Sequence, residues 1–400
     1  MSHKLPTLME LFAQLVAAQS VSCTNPSLDQ SNKAMIDLLA GWFEALGLRV
    51  EVMAIPDRPG KFNLLARTGS GEDGLLLSGH TDTVPFDTGA WSTDPFRLSE
   101  RDGRLYGLGT ADMKGFFALI IEVLKSIDLT RLRAPLTILA TADEESSMSG
   151  ARALADLRMP LGRYAVIGEP TGLRPIHMHK GIMMVCIRLQ GRSGHSSDPA
   201  LGASALEAMH RVITDLLSWR TELQQRYQNP LFDVAVPTLN LGHIHGGDNP
   251  NRICAECELH IDLRLLPGMD PQEIGGALRQ RVTAVVAAGD VRLAINDLFA
   301  GIPALDTPRN TRIVCAAEAL SGQPAGTVAF GTEGPFLNAL GLETVILGPG
   351  SIAQAHQADE FIAMAELRPA MALYEGLIQG FCMRDAISTE LDQEDNEHAG

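Results

Sequence analysis

Long apolar runs are missing from this chain. No segment approaches the roughly 18 uninterrupted apolar residues of a membrane-spanning helix, which excludes a helical membrane protein. Cysteine is scarce, and six in 400 residues do not make a disulfide framework. Cys254 and Cys257 form an isolated C-x-x-C with no second pair. They lie in a run, Arg252 to Arg264, that alternates like a strand, where positions three apart face opposite sides. That spacing reads as structural. Basic residues are in deficit: 32 Lys and Arg against 48 Asp and Glu leave a net charge of −16. Such a balance argues against nucleic acid or an anionic membrane as partner and mildly favours a cationic or metal-bound substrate. At the amino terminus no basic segment precedes the apolar residues, and Glu10 and Gln14 interrupt them. Leu8, Leu11, Phe12, Leu15 and Val16 follow helical spacing instead, so a soluble, cytoplasmic chain is expected. There is no internal repeat.

What is present is a large apolar share, 45% of 400 residues. Single cores stop growing near roughly 250–300 residues, so two domains are expected. Over 1–180, strand-like and helix-like patterns alternate. Ser31 to Leu46, Gly115 to Ser126 and Met148 to Leu157 read as helices, with Gly47 as a stop signal. That rhythm predicts an α/β fold with a largely parallel sheet flanked by helices. It changes near Gly181. Ile182 to Gln190, Thr238 to His245 and Cys254 to Leu265 read as strands, and Ala203 to Gln225 and Pro271 to Ala288 as helices. An inserted, smaller α+β domain is therefore expected over 182–293, interrupting a domain made of 1–181 and 294–384. The acidic tail, 385–400, reads as disordered.

Five potential metal ligands, His80, Asp112, Glu145, Glu169 and His356, each follow a short apolar run that reads as a buried strand. Those runs are 75–77, 105–108, 136–140, 165–167 and 344–347. In an open α/β sheet the carboxyl ends of parallel strands converge on one crevice. Two imidazoles and three carboxylates exceed the three protein ligands of one catalytic zinc. They suit two metals sharing a carboxylate. In SGHTDTVP (78–85), Asp82 stands two residues from His80 on extended chain, where a carboxylate can orient a ligating imidazole. The loop GLGTADMKG (107–115) lacks phosphate-binding glycine spacing, and Asp112 would repel an anion there. In TADEES (141–146), adjacent Glu144 and Glu145 diverge, so one can ligate while the other acts as general base. His195 in RSGHSSDP (192–199) could donate to a developing oxyanion. Arg252, beside Asn251, suits a carboxylate bidentately, and Glu333 an ammonium.

The motifs SGHTDTVP, GLGTADMKG, TADEES, GEPT, GRSGHSS and AQAHQADE, in that order along nearly the whole chain, resemble the dinuclear zinc aminoacylase and carboxypeptidase family. The resemblance implies two zinc ions per subunit, cobalt also fitting such N/O donors. His80, Asp112 and Glu169 would hold one ion, and Asp112, Glu145 and His356 the other. It further implies Glu144 as general base, Asp82 as the residue orienting His80, and a cis peptide at Asp112–Met113. The inserted domain would be a lid and dimerisation domain, with His195 reaching the neighbouring subunit of a homodimer. The substrate implied is a small N-acyl amino acid. The NLGHIHGGDNPNRIC and AFGTEGPF stretches most resemble the acetylornithine-deacetylating branch, which implies N2-acetyl-L-ornithine. The alternatives are other hydrolases of the family, namely desuccinylases, aminoacylases or carboxypeptidases. A non-catalytic scaffold would instead have lost ligands or base, and neither is missing.

Overall fold

The computed structural model describes residues 5–383 apart from 70, 72, 88 and 288. The acidic tail therefore lies outside the described residues. The described residues divide into two compact units, one comprising 5–177, 307–326 and 336–383, the other 178–306 with 327–335.

In the first unit, four strands run parallel side by side: Leu136–Thr141, Leu75–His80, Tyr164–Ile167 and Glu343–Ile346. Nearly every residue in them is buried, as expected of strands covered on both faces. Phe62–Thr68 and Arg49–Ala54 extend the sheet antiparallel, so the sheet is mixed rather than wholly parallel. Helices Leu8–Ala17, Lys33–Ala45, Lys114–Leu124, Arg312–Ser321 and Met364–Ile378 contribute to one apolar core with these strands. The first helix buries Leu11, Phe12, Leu15 and Val16 and begins with a capping box between Thr7 and Glu10. Lys114–Leu124 is buried on almost all sides, and its Phe116 meets Tyr374 edge-on with ring centroids 5.5 Å apart.

The run before Asp112 is not a strand of the main sheet. Arg104–Tyr106 belongs to a separate three-stranded antiparallel sheet with Ser99–Arg101 and Phe361–Ala363. The run is short and flanked by glycines, and periodicity alone could not assign it to a sheet.

The second unit is built on an antiparallel sheet in the order Thr238–Gly246, Glu256–Leu265, Gly181–Gln190, Arg292–Ile302. Helices Ala205–Arg226 and Pro271–Val286 share a core with one face of it. Cys257, Leu259, Ile261, Leu263 and Leu265 are buried there, while Glu258, His260 and Asp262 alternate to the other face. A domain exit at 293 would cut the strand Arg292–Ile302, and the compact unit instead continues to Asp306. Among the described residues, no helix is long and apolar enough to cross a membrane.

Candidate metal centre

Three of the four parallel strands deliver acidic residues or histidine at their carboxyl ends. His80 closes Leu75–His80, Asp143 to Glu145 follow Leu136–Thr141, and Glu169 follows Tyr164–Ile167. After Glu343–Ile346 the chain needs a further loop to reach His356, which has a left-handed φ of 61°. Close packing brings the strand ends together. A Cβ on Gly168 would lie 2.1 Å from the Phe116 ring, so glycine beside Glu169 lets the helix press on the sheet there. The Asp112–Met113 peptide is cis.

Asp112 sits between the two imidazoles. Its Oδ1 lies 3.0 Å from His80 Nε2, and its Oδ2 3.7 Å from His356 Nε2. Glu169 approaches the same His80 nitrogen at 3.7 Å, and Glu145 approaches the same His356 nitrogen at 3.0 Å. Donor atoms of His80, Asp112 and Glu145 lie within 4.8 Å of one another, as do those of His80, Glu144 and Glu169. All of these residues belong to the first unit.

The electrostatics of this cluster call for a cation. Burial and then the charge of Glu169 push the Glu144 carboxyl well above the usual carboxylate range. Burial opposes a charge on His80, but the hydrogen bond to Asp112 and the charges of Glu169 and Asp82 outweigh it. The imidazole is held well above its ordinary value. The Glu145 hydrogen bond raises His356 to about 9. Four carboxylates thus crowd two imidazoles, a concentration of negative charge that bound cations would offset. The donor set suits two divalent ions, because each oxygen of Asp112 already faces a different histidine.

The scaffold around the donors is specific. His80 Nδ1 lies 3.0 Å from the backbone oxygen of Asp82, the usual outer contact of a ligating imidazole. The Asp82 carboxylate, expected to orient His80, is farther off at 3.7 Å. It accepts the N–H groups of Glu144 at 3.2 Å and Glu145 at 3.1 Å, and so fixes the turn that separates those side chains. Asp143 turns away from the donors. It accepts from Ser22, Ser149 and Lys61, with its own φ at 57°.

Sequence reasoning missed Glu360. It is 1% exposed and accepts three backbone N–H groups, from Gly109 at 3.0 Å, Ala111 at 2.8 Å and Asp112 at 3.0 Å. It thereby holds the loop that presents Asp112. Burial and then the Asp112 charge raise its pKa to about 8. The only signal was the acidic pair closing AQAHQADE, and backbone partners leave no trace in side-chain spacing.

His195, Asn251, Arg252 and Glu333 all lie in the second unit. His195 and Arg252 form an isolated antiparallel bridge, and the Asn251 carbonyl accepts from Ser196 N. Ser197 N–H donates to His195 Nδ1 at 3.2 Å, which leaves the imidazole proton on Nε2. Arg252 is paired with Asp248. Glu333 is buried. Its segment is tied to the strand Ile176–His179 by Thr332 N–H donating to His179 Nε2 at 3.2 Å. Burial lowers the His179 pKa to about 4, so that nitrogen stays an acceptor.

Residues 76–380 match the description of peptidase family M20/M25/M40. An acetylornithine deacetylase from Proteus mirabilis (strain HI4320) is 52% identical over 385 residues, covering 96% of this chain and 99% of its own length. One from Edwardsiella ictaluri (strain 93-146) is also 52% identical, covering 96% of this chain and all of its own. Among solved structures, an M20-family metallo-carboxypeptidase from Sulfolobus solfataricus superposes with a TM-score of 0.74 at 17% identity. That likeness covers 94% of this chain and 99% of the other.

Proposed function

We propose that this chain, which belongs to peptidase family M20/M25/M40, hydrolyses the acetyl amide of N2-acetyl-L-ornithine to L-ornithine and acetate. One observation carries the hydrolytic reading: Asp112 stands between two histidine–carboxylate pairs, with Glu144 buried beside them. The substrate follows from near-full-length likeness, at 52% identity, to acetylornithine deacetylases. His80, Asp112 and Glu169 would hold one zinc ion, and Asp112, Glu145 and His356 the second. Bound there, a zinc pair makes water more acidic and draws charge from an acyl oxygen.

The protein's own groups do the rest. Glu144 takes a proton from the attacking water as the C–O bond forms at the acetyl carbon. It returns that proton to the α-nitrogen of ornithine as the C–N bond breaks. Burial, and then the charge of Glu169, raise the Glu144 pKa above the usual carboxylate range, in the direction that favours accepting a proton from water. Asp82 holds the 144–145 backbone in place for this task. In a homodimer, His195 would donate its Nε2 proton toward the developing oxyanion of the partner's substrate. Arg252 and Asn251 would receive the substrate carboxylate, Arg252 exchanging Asp248 for it, and Glu333 the side-chain ammonium.

Metal dependence is the direct test. Chelation of the purified chain is expected to abolish acetylornithine hydrolysis, and added zinc to restore it. Unchanged turnover of protein shown to be metal-free would overturn the proposal.

A further inference from the structure

The second unit carries a group of donors that the reaction does not use. On the face of its sheet opposite the apolar core, three neighbouring strands contribute one residue each to a single row. His243 pairs in register with His260, and His260 with Cys186. Glu258 lies two residues from His260, hence on the same face. Its Oε1 is 2.7 Å from His260 Nε2. The thiol, the imidazole and the carboxylate place donor atoms within 4.8 Å of one another. The His243 ring lies against that of His260, centroids 4.7 Å apart and planes tilted by 41°.

The row depends on an irregularity in the edge strand. The register shifts between Leu241, opposite Ile261, and His243, opposite His260. Regular pairing would set Gly242 opposite His260 and turn His243 toward the core face. The extra residue re-aims His243, and with it His245, to the face bearing Glu258 and His260. Bulges of this kind serve to redirect side chains.

We propose that Cys186, Glu258 and His260 form a binding site for one zinc-like divalent cation, separate from the candidate catalytic centre, with the His243 ring packed beside it. Thiolate, imidazole and carboxylate in tetrahedral array are ordinary zinc donors. Bond lengths near 2.0–2.3 Å place such donors roughly 3.3–3.8 Å apart. For the three clustered donors, side-chain movements of roughly 1–1.5 Å reach that spacing. An imidazole nitrogen lying close to a carboxylate oxygen is also what the catalytic cluster displays at His80–Asp112 and His356–Glu145.

Arg188 is the competing cation. Its Nε approaches Glu258 Oε2 at 2.7 Å, on the oxygen away from His260. A metal entering on the Oε1 side leaves that contact in place, and Arg188 then steadies the ligating carboxylate from outside. The ion would tie three strands together across their solvent face.

Cobalt(II) separates this site from the catalytic one, whose proposed donors are nitrogen and oxygen only. The full-length chain reconstituted with cobalt is expected to show a thiolate-to-cobalt charge-transfer band. The band should vanish in Cys186→Ser. In His260→Ala the cobalt affinity read from it should weaken at least about tenfold. Circular dichroism establishes that both variants are folded, and acetylornithine hydrolysis should be unchanged in each. Absence of a thiolate band in the wild-type chain, or its persistence in Cys186→Ser, would overturn the proposal.

Discussion

Replacing Glu144 by Gln is expected to lower kcat for acetylornithine hydrolysis by about 10²–10⁴-fold, the usual worth of a positioned general acid–base group. Gln keeps the size and the hydrogen-bonding capacity of the side chain but cannot carry the proton. Metal content should stay that of the wild type. That second readout matters, because Glu144 donor atoms lie within 4.8 Å of those of His80 and Glu169, close enough for ligation. A variant that loses both turnover and one metal equivalent would show that Glu144 is a ligand. The proton-transfer role would then have to move to Glu145. An apo protein relieved of one carboxylate is also expected to be no less stable, since burial and the Glu169 charge already disfavour the ionised form of Glu144.

Asp112→Ala should be the most damaging change at the centre. Its two oxygens face different imidazoles, at 3.0 and 3.7 Å, so its removal weakens both metal equivalents together. Disturbing an outer partner of a metal ligand costs roughly 10–100-fold in affinity, and a shared ligand should cost more than that range. His356→Ala supplies the contrast. It removes a donor from one side only and should leave one equivalent near its wild-type affinity. Competition against a chromophoric chelator measures both. If Asp112→Ala left one metal bound at wild-type strength, the shared-ligand arrangement would be wrong.

Why so much of this centre was readable follows from the parallel sheet. Buried parallel strands are short, continuous apolar runs, and their carboxyl ends lie at one edge. His80, Glu145 and Glu169 each follow such a run, so their convergence is a consequence of topology. Asp112 was reached by a different route. Its preceding run belongs to a small separate sheet, and Glu360 holds its loop through three backbone N–H groups. Contacts to backbone carry no side-chain pattern, so neither fact was legible. The same reason hid the work of the Asp82 carboxylate on the 144–145 turn. In the second unit the alternation in Glu256–Leu265 was plain, whereas the register shift that re-aims His243 depends on pairing between strands. Arg292–Ile302 was overlooked because its own pattern is broken by two register shifts against its neighbour.

Substrate choice is the central claim, and a comparison of kcat/KM separates it from its alternatives. The zinc-loaded chain would be assayed with N2-acetyl-L-ornithine, N-succinyl-diaminopimelate and N-acetyl-methionine side by side. Acetylornithine is expected to lead by at least about tenfold, the low end of the discrimination that a single pocket contact supplies. A clear preference for either of the other two would contradict the proposed activity while leaving the metal centre in place.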